Sequence, residues 1–380
     1  MKSDMSIHLD NFQDIGGFVM SNAEKDEQVE ILTRASYTSD QPEFFKYIDQ
    51  FTSLILSSVR ITINQIYQFL LIIHFDKSAD LYLNSIPFTV QILAKKDMKK
   101  GDVVKKCDVA DIRSIIFENT ILTKNDKVIF CFKVGWKFGL YFDLSSQRDL
   151  DINQMSMEMG ALYRYLCFQE VYKQLETDDQ FEDMKRDGWF PYIEIVGSEY
   201  DELIKIYQNR FKFEDRINYI VNIFDQSRIK IITNKWWSNI IFKNKQQIIE
   251  AGIEAFLNND KSGFINCIKT LSTEVGGIIH LQFFQNTGNA HAGFKVLLEH
   301  IANVENLKTT EYSLFFPSEF LRFLQDVVFA NFDIENDQIP LSRHSSSHGV
   351  AKSDDYTKVR ALQMILILDQ IYFYIQSTKS

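Results

Sequence analysis

The spacing of apolar residues changes character within the first 150 residues. From 42 to 74 they recur at helical spacing, which predicts one or two packed helices. After Pro87 the pattern shifts to short runs rich in β-branched and aromatic residues, separated by turn-forming segments. These runs predict strands at 88–93, 103–109, 112–117, 127–134 and 138–142. We expect the last two to pair as a hairpin, so that residues 1–150 form an α+β domain with a small antiparallel sheet backed by the preceding helix.

Helical spacing returns at 151–177, before an acidic stretch at 176–187 that is a candidate boundary and an irregular piece at 189–191. Beyond residue 200 almost every segment has a helical pattern. The clearest of these segments are 217–224, 246–257, 263–271, 294–304 and 318–329. We therefore predict a helical connector at 151–199 and an all-α helical bundle domain at 200–380.

The helix predicted at 356–375 is apolar on nearly all faces. Ser353 is its expected N-cap, and Asp354 and Asp355 suit the positive end of its dipole. A helix that is apolar all round must be buried or paired. This pattern fits a bundle core that also forms a homodimer.

Composition describes a compact, ordered protein with room for two or three domains in 380 residues. It is 45% hydrophobic and has only five prolines. Its four cysteines are widely scattered, which favours isolated thiols in a reducing compartment. Residues 1–10 lack the apolar run of a signal peptide, and the most apolar stretches, 67–75 and 364–368, are far too short to span a membrane. We expect a cytoplasmic protein with no membrane association.

The net charge of −10 argues against a general nucleic-acid coat protein, because non-specific binding to phosphate is mainly electrostatic. A local cationic cleft remains compatible with an acidic chain. Two lysine groups are either such a cleft or ordinary solvated surface: Lys95, Lys96, Lys99 and Lys100, and Lys230, Lys235, Lys243 and Lys245.

The segment 340–349 combines the side chains that phosphodiester chemistry needs. Arg343 presents a planar fork of donors that matches a phosphate, and His344 and His348 can move protons near neutral pH. Attack by a 2′-hydroxyl on its own phosphodiester needs both a proton carrier and a cation. On a straight helix Arg343 and His348 would point about 140 degrees apart. The three consecutive serines instead predict a loop or a distorted helix start, in which the two side chains converge.

This arrangement resembles the ribonuclease motif of the HEPN superfamily, in which Arg is followed by four to six residues and then His. Arg343 and His348 occupy the defining positions, and His344 occupies the polar position after the Arg. Ser342 stands where related chains often have Asn. The resemblance implies a HEPN-like helical bundle over roughly the last hundred residues, working as a homodimer with a composite cleft.

By resemblance, His348 is a general base or acid, Arg343 is a phosphate clamp and transition-state stabiliser, and His344 is an auxiliary hydrogen-bonding residue. The implied activity is a metal-independent endoribonuclease with no cofactor, which leaves a 2′,3′-cyclic phosphate and a 5′-hydroxyl. Such domains commonly act as toxins, in abortive infection and antiviral (phage) defence, or in stress responses. RNA is then the substrate, an antitoxin or regulatory protein is a further partner, and residues 1–150 sense or regulate.

Two alternatives stay open for the segment. One is a non-catalytic HEPN-like module for dimerisation or for binding nucleic acid or a nucleotide. The other is a surface loop whose Arg and His cap neighbouring helices.

Other candidate sites are weaker. His344 and His348 stand four apart, as in zinc sites, but Ser345 takes the place of a catalytic Glu and no third ligand is evident. Gly276-Gly277 lacks the Lys-Ser/Thr of a phosphate loop, which argues against a nucleotide triphosphatase. Trp236-Trp237 suits either core packing or stacking on bases, and the high aromatic content favours packing.

Overall fold

The computed structural model describes residues 5–12, 15–19, 21–56, 65–145, 149–176, 178–306, 313–335 and 340–376. The chain divides into two compact units. The first unit is built from Met1–Leu93 and Ile112–Gln169, and the second from Ala94–Asp111, Glu170–Thr309 and Ser313–Ser380. The first contains an antiparallel sheet and the second is largely helical. The predicted fold class, α+β overall with a sheet followed by a helical region, is confirmed.

Ten strands are described. They are β1 (Met5–Leu9), β2 (Phe18–Val19), β3 (Ile31–Leu32), β4 (Arg34–Thr38), β5 (Gln68–Ile73), β6 (Ala79–Leu83), β7 (Phe88–Ala94), β8 (Val109–Phe117), β9 (Lys127–Val134) and β10 (Lys137–Asp143). Six of them form one sheet in the order β1-β6-β5-β9-β10-β4, and its pairs are antiparallel. The predicted hairpin of the last two strands is confirmed, with Leu140 opposite Cys131.

The sheet of the first unit is covered on both faces by helices α1 (Pro42–Leu56) and α2 (Ile152–Cys167). On the α1 side Phe51 packs in one cluster with Leu71. On the α2 side Met159 packs with Leu70 and Ile72. The predicted helical backing by α1 is confirmed, and α2 adds a second apolar layer.

Two elements predicted from the pattern are wrong. Residues 68–73 were expected to be helical but form β5, in which neighbouring residues face the two different apolar clusters. The region 57–64, also expected to be helical, lies outside the described residues. Residues 103–109 were expected to be a strand, yet Lys106–Asp108 is a single 3-10 turn and Val103 is 79% exposed. The β propensity of Val comes from packing its side chain on a partly buried sheet surface, and an exposed Val103 gains none of that stabilisation.

The helices that follow are α3 (Gln169–Glu176), α4 (Asp178–Arg186), α5 (Glu199–Gln208), α6 (Phe213–Asn222), α7 (Gln226–Asn234), α8 (Ile240–Asn244), α9 (Gln246–Leu257), α10 (Lys261–Thr287), α11 (Phe294–Asn306), α12 (Pro317–Phe323), α13 (Arg343–His348) and α14 (Lys358–Gln376). The acidic stretch is mostly the helix α4, whereas residues 189–191 are irregular and buried. Within the described ranges, no helix has the length and apolar content that crossing a membrane requires.

Helix α14 fills the middle of the second unit. Apart from Met364, every residue from 361 to 375 is buried, including Gln363, Asp369 and Gln370. Gln370 satisfies its amide by accepting from the N–H of Ile193 at 2.8 Å and donating to the carbonyl of Phe315 at 3.2 Å. The unit itself covers all sides of this helix, so its apolar surface leaves no face for pairing with a second copy.

The start of α14 differs from the prediction. Ser353 begins a 3-10 turn, Ser353–Asp355, and is not the cap of the helix. Instead the hydroxyl of Thr357 accepts from the backbone N–H of Arg360 at 3.2 Å. The prediction of Ser353 as the cap is wrong because the tight turn intervenes between the acidic residues and the helix.

Candidate functional site

The segment that carries Arg343, His344 and His348 is a capped helix. The hydroxyl of Ser342 accepts from the N–H of Ser345 at 3.2 Å, and the hydroxyl of Ser345 accepts from the N–H of Ser342 at 2.9 Å. Gly349 ends the helix in the left-handed conformation, with φ of 74°. This reciprocal capping box stabilises the first turn. Of the two alternatives predicted, a loop or a distorted helix start, the loop is wrong, because Ser345, one of the three consecutive serines, completes a capping box with Ser342 at a helix start.

Helical geometry sets the directions of the three side chains. His344 and His348, four apart, share one face, whereas Arg343 and His348, five apart, point about 140 degrees apart. Arg343 is partly buried against α10, and His348 is exposed with its ring 5.7 Å from that of Phe332. Within one chain the structure thus groups the two histidines and directs the arginine elsewhere, so the predicted convergence of Arg343 and His348 does not occur there.

Arg343 is a guanidinium without a counter-ion. Among the described residues it forms no ion pair, and its buried Nε has no hydrogen-bond partner. The side chain lies over Gly276 of α10, where an added Cβ would sit 3.3 Å from Nε. An unpaired, partly buried cation of this kind is available to an anionic ligand.

His344 lies next to Arg343 on α13. Burial lowers the pKa of its imidazole below the ordinary value, and electrostatic interaction with the neighbouring Arg343 and His348 acts in the same direction. Its ring is 6.4 Å from that of Phe329. His344 is consequently neutral at pH 7 and able to accept a proton.

A cavity opens beside α13, and Arg343 lines it together with Arg360 of α14. With its open mouth counted, the empty space is about 350 Å³. The guanidinium of Arg360 donates to the side-chain oxygen of Gln363 at 3.1 Å and to the carbonyl of Arg186 at 3.1 Å. Burial lowers the pKa of Arg360, and the nearby carboxylate of Asp187 partly offsets that effect.

No protein-family model, curated protein or solved structure matches the chain. The interpretation of the site therefore depends on the geometry of its own residues.

Sequence reasoning missed Arg360, although a signal for it exists. It is a lone arginine in the first turn of a helix that is otherwise almost entirely apolar. A charged side chain in such a helix must find a polar environment when the helix is buried. Reading α14 for its polar exceptions would have singled out Arg360 as well as Asp369.

A second group of charges surrounds Asp369. Its carboxylate accepts from the indole N–H of Trp236 at 2.8 Å and pairs with Lys235 at 2.9 Å. Glu194 lies 4.0 Å from the same lysine, and burial raises the pKa of Glu194. Trp236 is fully buried, so its predicted role in core packing is confirmed.

Several of the lysines considered as a cationic cleft are engaged in such pairs. Lys95 is buried, donates to the carbonyl of Val196 at 2.8 Å, and has its pKa lowered by burial to about 8. Lys245 pairs with Glu274 at 3.0 Å. These lysines stabilise the second unit and are not a free basic surface.

The metal interpretation of His344 and His348 gains no third ligand. In the described parts of the chain, no group of three or more His, Cys, Asp or Glu residues is placed to hold a metal ion.

Proposed function

We propose that the chain is a metal-independent endoribonuclease of HEPN type that cleaves RNA by 2′-hydroxyl attack at a site on α13. The observation that carries the proposal is the combination of an uncompensated Arg343 with the neutral His344 beside it and the exposed His348 one turn on. The arginine is suited to stabilise charge developing on phosphorus, and the imidazoles are suited to move protons.

The proposed roles follow from exposure and charge. Arg343 binds the phosphate, His348 is the general base or acid, and His344 is an auxiliary group that accepts a hydrogen bond. In-line displacement needs proton carriers on opposite sides of phosphorus, whereas His344 and His348 share one helix face. A homodimer would place His348 of one copy near Arg343 of the other. Since α14 is buried, such a dimer would have to use the exposed side of α13 and its surroundings.

The proposed setting is cytoplasmic, in abortive infection, toxin–antitoxin function, antiviral defence or stress response. This part of the proposal is supported by the resemblance of Arg343, His344 and His348 to the HEPN motif. The first unit would sense a trigger, regulate the enzyme or bind an antitoxin. An acidic chain of net charge −10 adheres weakly to nucleic acid in general, which suits an enzyme that is held inactive until it is needed.

A second candidate function is a non-catalytic module that binds a nucleotide or nucleic acid. The observation in its favour is that Arg343 lines a cavity and points away from His348 on the same helix. This arrangement would let Arg343 bind an anion away from His348, the proposed general base or acid.

The test is incubation of the purified full-length protein with labelled total RNA in EDTA. Arg343→Ala and His348→Ala are compared with Arg322→Ala and His291→Ala, which change exposed residues of the same two types. We expect the first pair to lose at least about a hundredfold in cleavage rate and the second pair to retain activity. End-group analysis should find cyclic phosphates. Intact RNA throughout would favour the binding module, and cleavage that survives both site substitutions would exclude α13 as the site.

A further inference from the structure

The cavity beside α13 has two arginines on its lining and no acidic residue among the described residues that line it. Neither Arg343 nor Arg360 forms an ion pair with any carboxylate that the structure describes. Two partly buried cations beside one cavity that pair with none of these carboxylates are poorly solvated, which costs stability. Such a cost is characteristic of sites arranged for a ligand of opposite charge.

We infer that this cavity binds a phosphate group between the guanidinium groups of Arg343 and Arg360. Guanidinium forks match phosphate oxygens geometrically and form short charge-assisted hydrogen bonds with them. Two fixed positive charges balance the two negative charges of a phosphate monoester better than the single charge of a bridging phosphodiester. The ligand class is therefore a terminal or free phosphate.

Two glycines make room for the two arginines. At Gly276 an added Cβ would lie 3.3 Å from Nε of Arg343, and at Gly188 an added Cβ would overlap Nη1 of Arg360. Gly188 also has φ of 79°, in the left-handed region that glycine adopts readily. Each guanidinium thus lies directly against backbone that carries no side chain.

The surroundings of the two arginines strengthen their attraction for an anion. Apolar side chains make up much of the remaining lining, among them Ile268, Phe323 and Ile367. An apolar wall lowers the local dielectric constant and strengthens charge-assisted hydrogen bonds. The side-chain oxygen of Gln363 accepts from Arg360 and holds its guanidinium in place.

Nearby carboxylates do not neutralise the pair. Asp187 and Asp355 act on Arg360 only over a distance, and neither lines the cavity. Glu274 on α10 is paired with Lys245 at 3.0 Å. A guanidinium group keeps its charge at physiological pH, so a site built from arginines stays positive.

This inference rests on the proposed function only for the role of Arg343 as a phosphate ligand, and it does not require cleavage. The test is calorimetric titration of the full-length protein with inorganic phosphate. Arg343→Gln and Arg360→Gln should each weaken phosphate binding by at least about tenfold. The matched control, Arg322→Gln, removes an exposed positive charge from α12 and should leave the affinity within about twofold. The inference would be overturned if the unaltered protein did not bind phosphate at millimolar concentration. It would also be overturned if both site variants bound phosphate as tightly as the unaltered protein.

A further measurement covers the case in which Arg360→Gln fails to fold. A crystal of the unaltered protein soaked in tungstate, a heavy tetrahedral dianion, should show density within hydrogen-bond reach of both guanidinium groups. Density confined to other places would contradict the inference without any variant.

The source of the phosphate is found by comparing 5′-phosphorylated with 5′-hydroxyl oligoribonucleotide. A preference for the phosphorylated end that Arg360→Gln abolishes identifies an RNA terminus. Equal binding of the two oligonucleotides, with arginine-dependent binding of inorganic phosphate, identifies a free phosphate. Arginine-dependent phosphate binding without RNA cleavage would support this inference and favour the binding module over the proposed ribonuclease. RNA cleavage that requires Arg343 and His348, without arginine-dependent binding of phosphate, would support the proposed function and contradict this inference.

Discussion

The neighbouring glycines of α10 offer a direct test of how Arg343 is positioned. Gly276 and Gly277 are both well inside a 27-residue helix, so alanine at either position should gain about 0.5–1 kcal/mol of helix propensity. Their surroundings differ. A Cβ at Gly276 would lie 3.3 Å from Nε of Arg343, whereas a Cβ at Gly277 would have its nearest neighbour, Nζ of Lys245, at 3.7 Å.

The 3.3 Å approach is tight, and the flexible arginine is the group that must yield by a few tenths of an ångström. We therefore expect Gly277→Ala to stabilise the protein by about 0.5–1 kcal/mol without changing the site. Gly276→Ala should be close to neutral in stability, because the steric push offsets the propensity gain. Its displaced guanidinium should reduce phosphate affinity and RNA cleavage severalfold, since misplacement by about 1 Å can cost a hundredfold.

The assays are urea denaturation for the free energy of unfolding, followed by phosphate titration and RNA cleavage of each variant. The informative quantity is the contrast between the two adjacent alanines. Equal function in both would show that contact with Gly276 does not position Arg343. A loss of more than about 2 kcal/mol in Gly276→Ala would show that the arginine is held too firmly to move.

Three other predictions concern buried charges. Asp369→Ala should lower the free energy of unfolding by about 3 kcal/mol, because it leaves the ammonium group of Lys235 without its buried carboxylate partner. An effect below about 1 kcal/mol in urea denaturation would contradict this. Burial lowers the pKa of Lys95 to about 8. Between about pH 8 and 10.5 the Lys95 side chain therefore binds a proton in the unfolded chain but not in the folded protein. The free energy of unfolding of the unaltered protein should rise across that window by about 1.4 kcal/mol per pH unit relative to Lys95→Met. Burial opposes protonation of His74, yet hydrogen bonds to two carboxylates, that of Asp126 first, raise its pKa above 6.5. The stability that His74 contributes over His74→Gln should thus be full below pH 6.5 and decline as pH rises through the folded pKa, and a pH-independent difference in melting temperature would refute this.

The sequence predicts an element well where turn-forming residues or a clear helical spacing mark it, and β9 and β10 were found in this way although both are buried on both faces. The strands β9 and β10 and the helices α9 and α11 were placed within about two residues at each end. β5 was missed because it is apolar on both faces, with Leu70 and Leu71 in different clusters, and its apolar run continues the helical spacing of the preceding segment. The strands β1 and β4 are short and lie at the edges of the sheet, so they carry little pattern at all.

The candidate site shows the same limit. The spacing of Arg343 and His348 located the segment, since the chemistry of a phosphodiester restricts which residues are needed. Their local conformation was predicted wrongly because the side chains of Ser342 and Ser345 each accept a hydrogen bond from the backbone N–H of the other, in a capping box. The number of serines in the segment does not reveal this local pairing. Arg360 was missed because its partnership with Arg343 depends on the packing of α14 beside α13, which no local pattern specifies.

The burial of α14 from residue 361 to residue 375 has a consequence for how this protein can change over evolutionary time. A helix with a wet side can accumulate substitutions there while its core side stays fixed. Between residues 361 and 375 every residue except Met364 is buried, so this part of the helix has almost no solvent-exposed side on which substitutions are neutral. Asp369 and Gln370 are further tied to partners far away in the chain. A substitution in α14 must therefore be matched by changes in the helices around it, and the cavity that Arg360 shares is inherited together with that core.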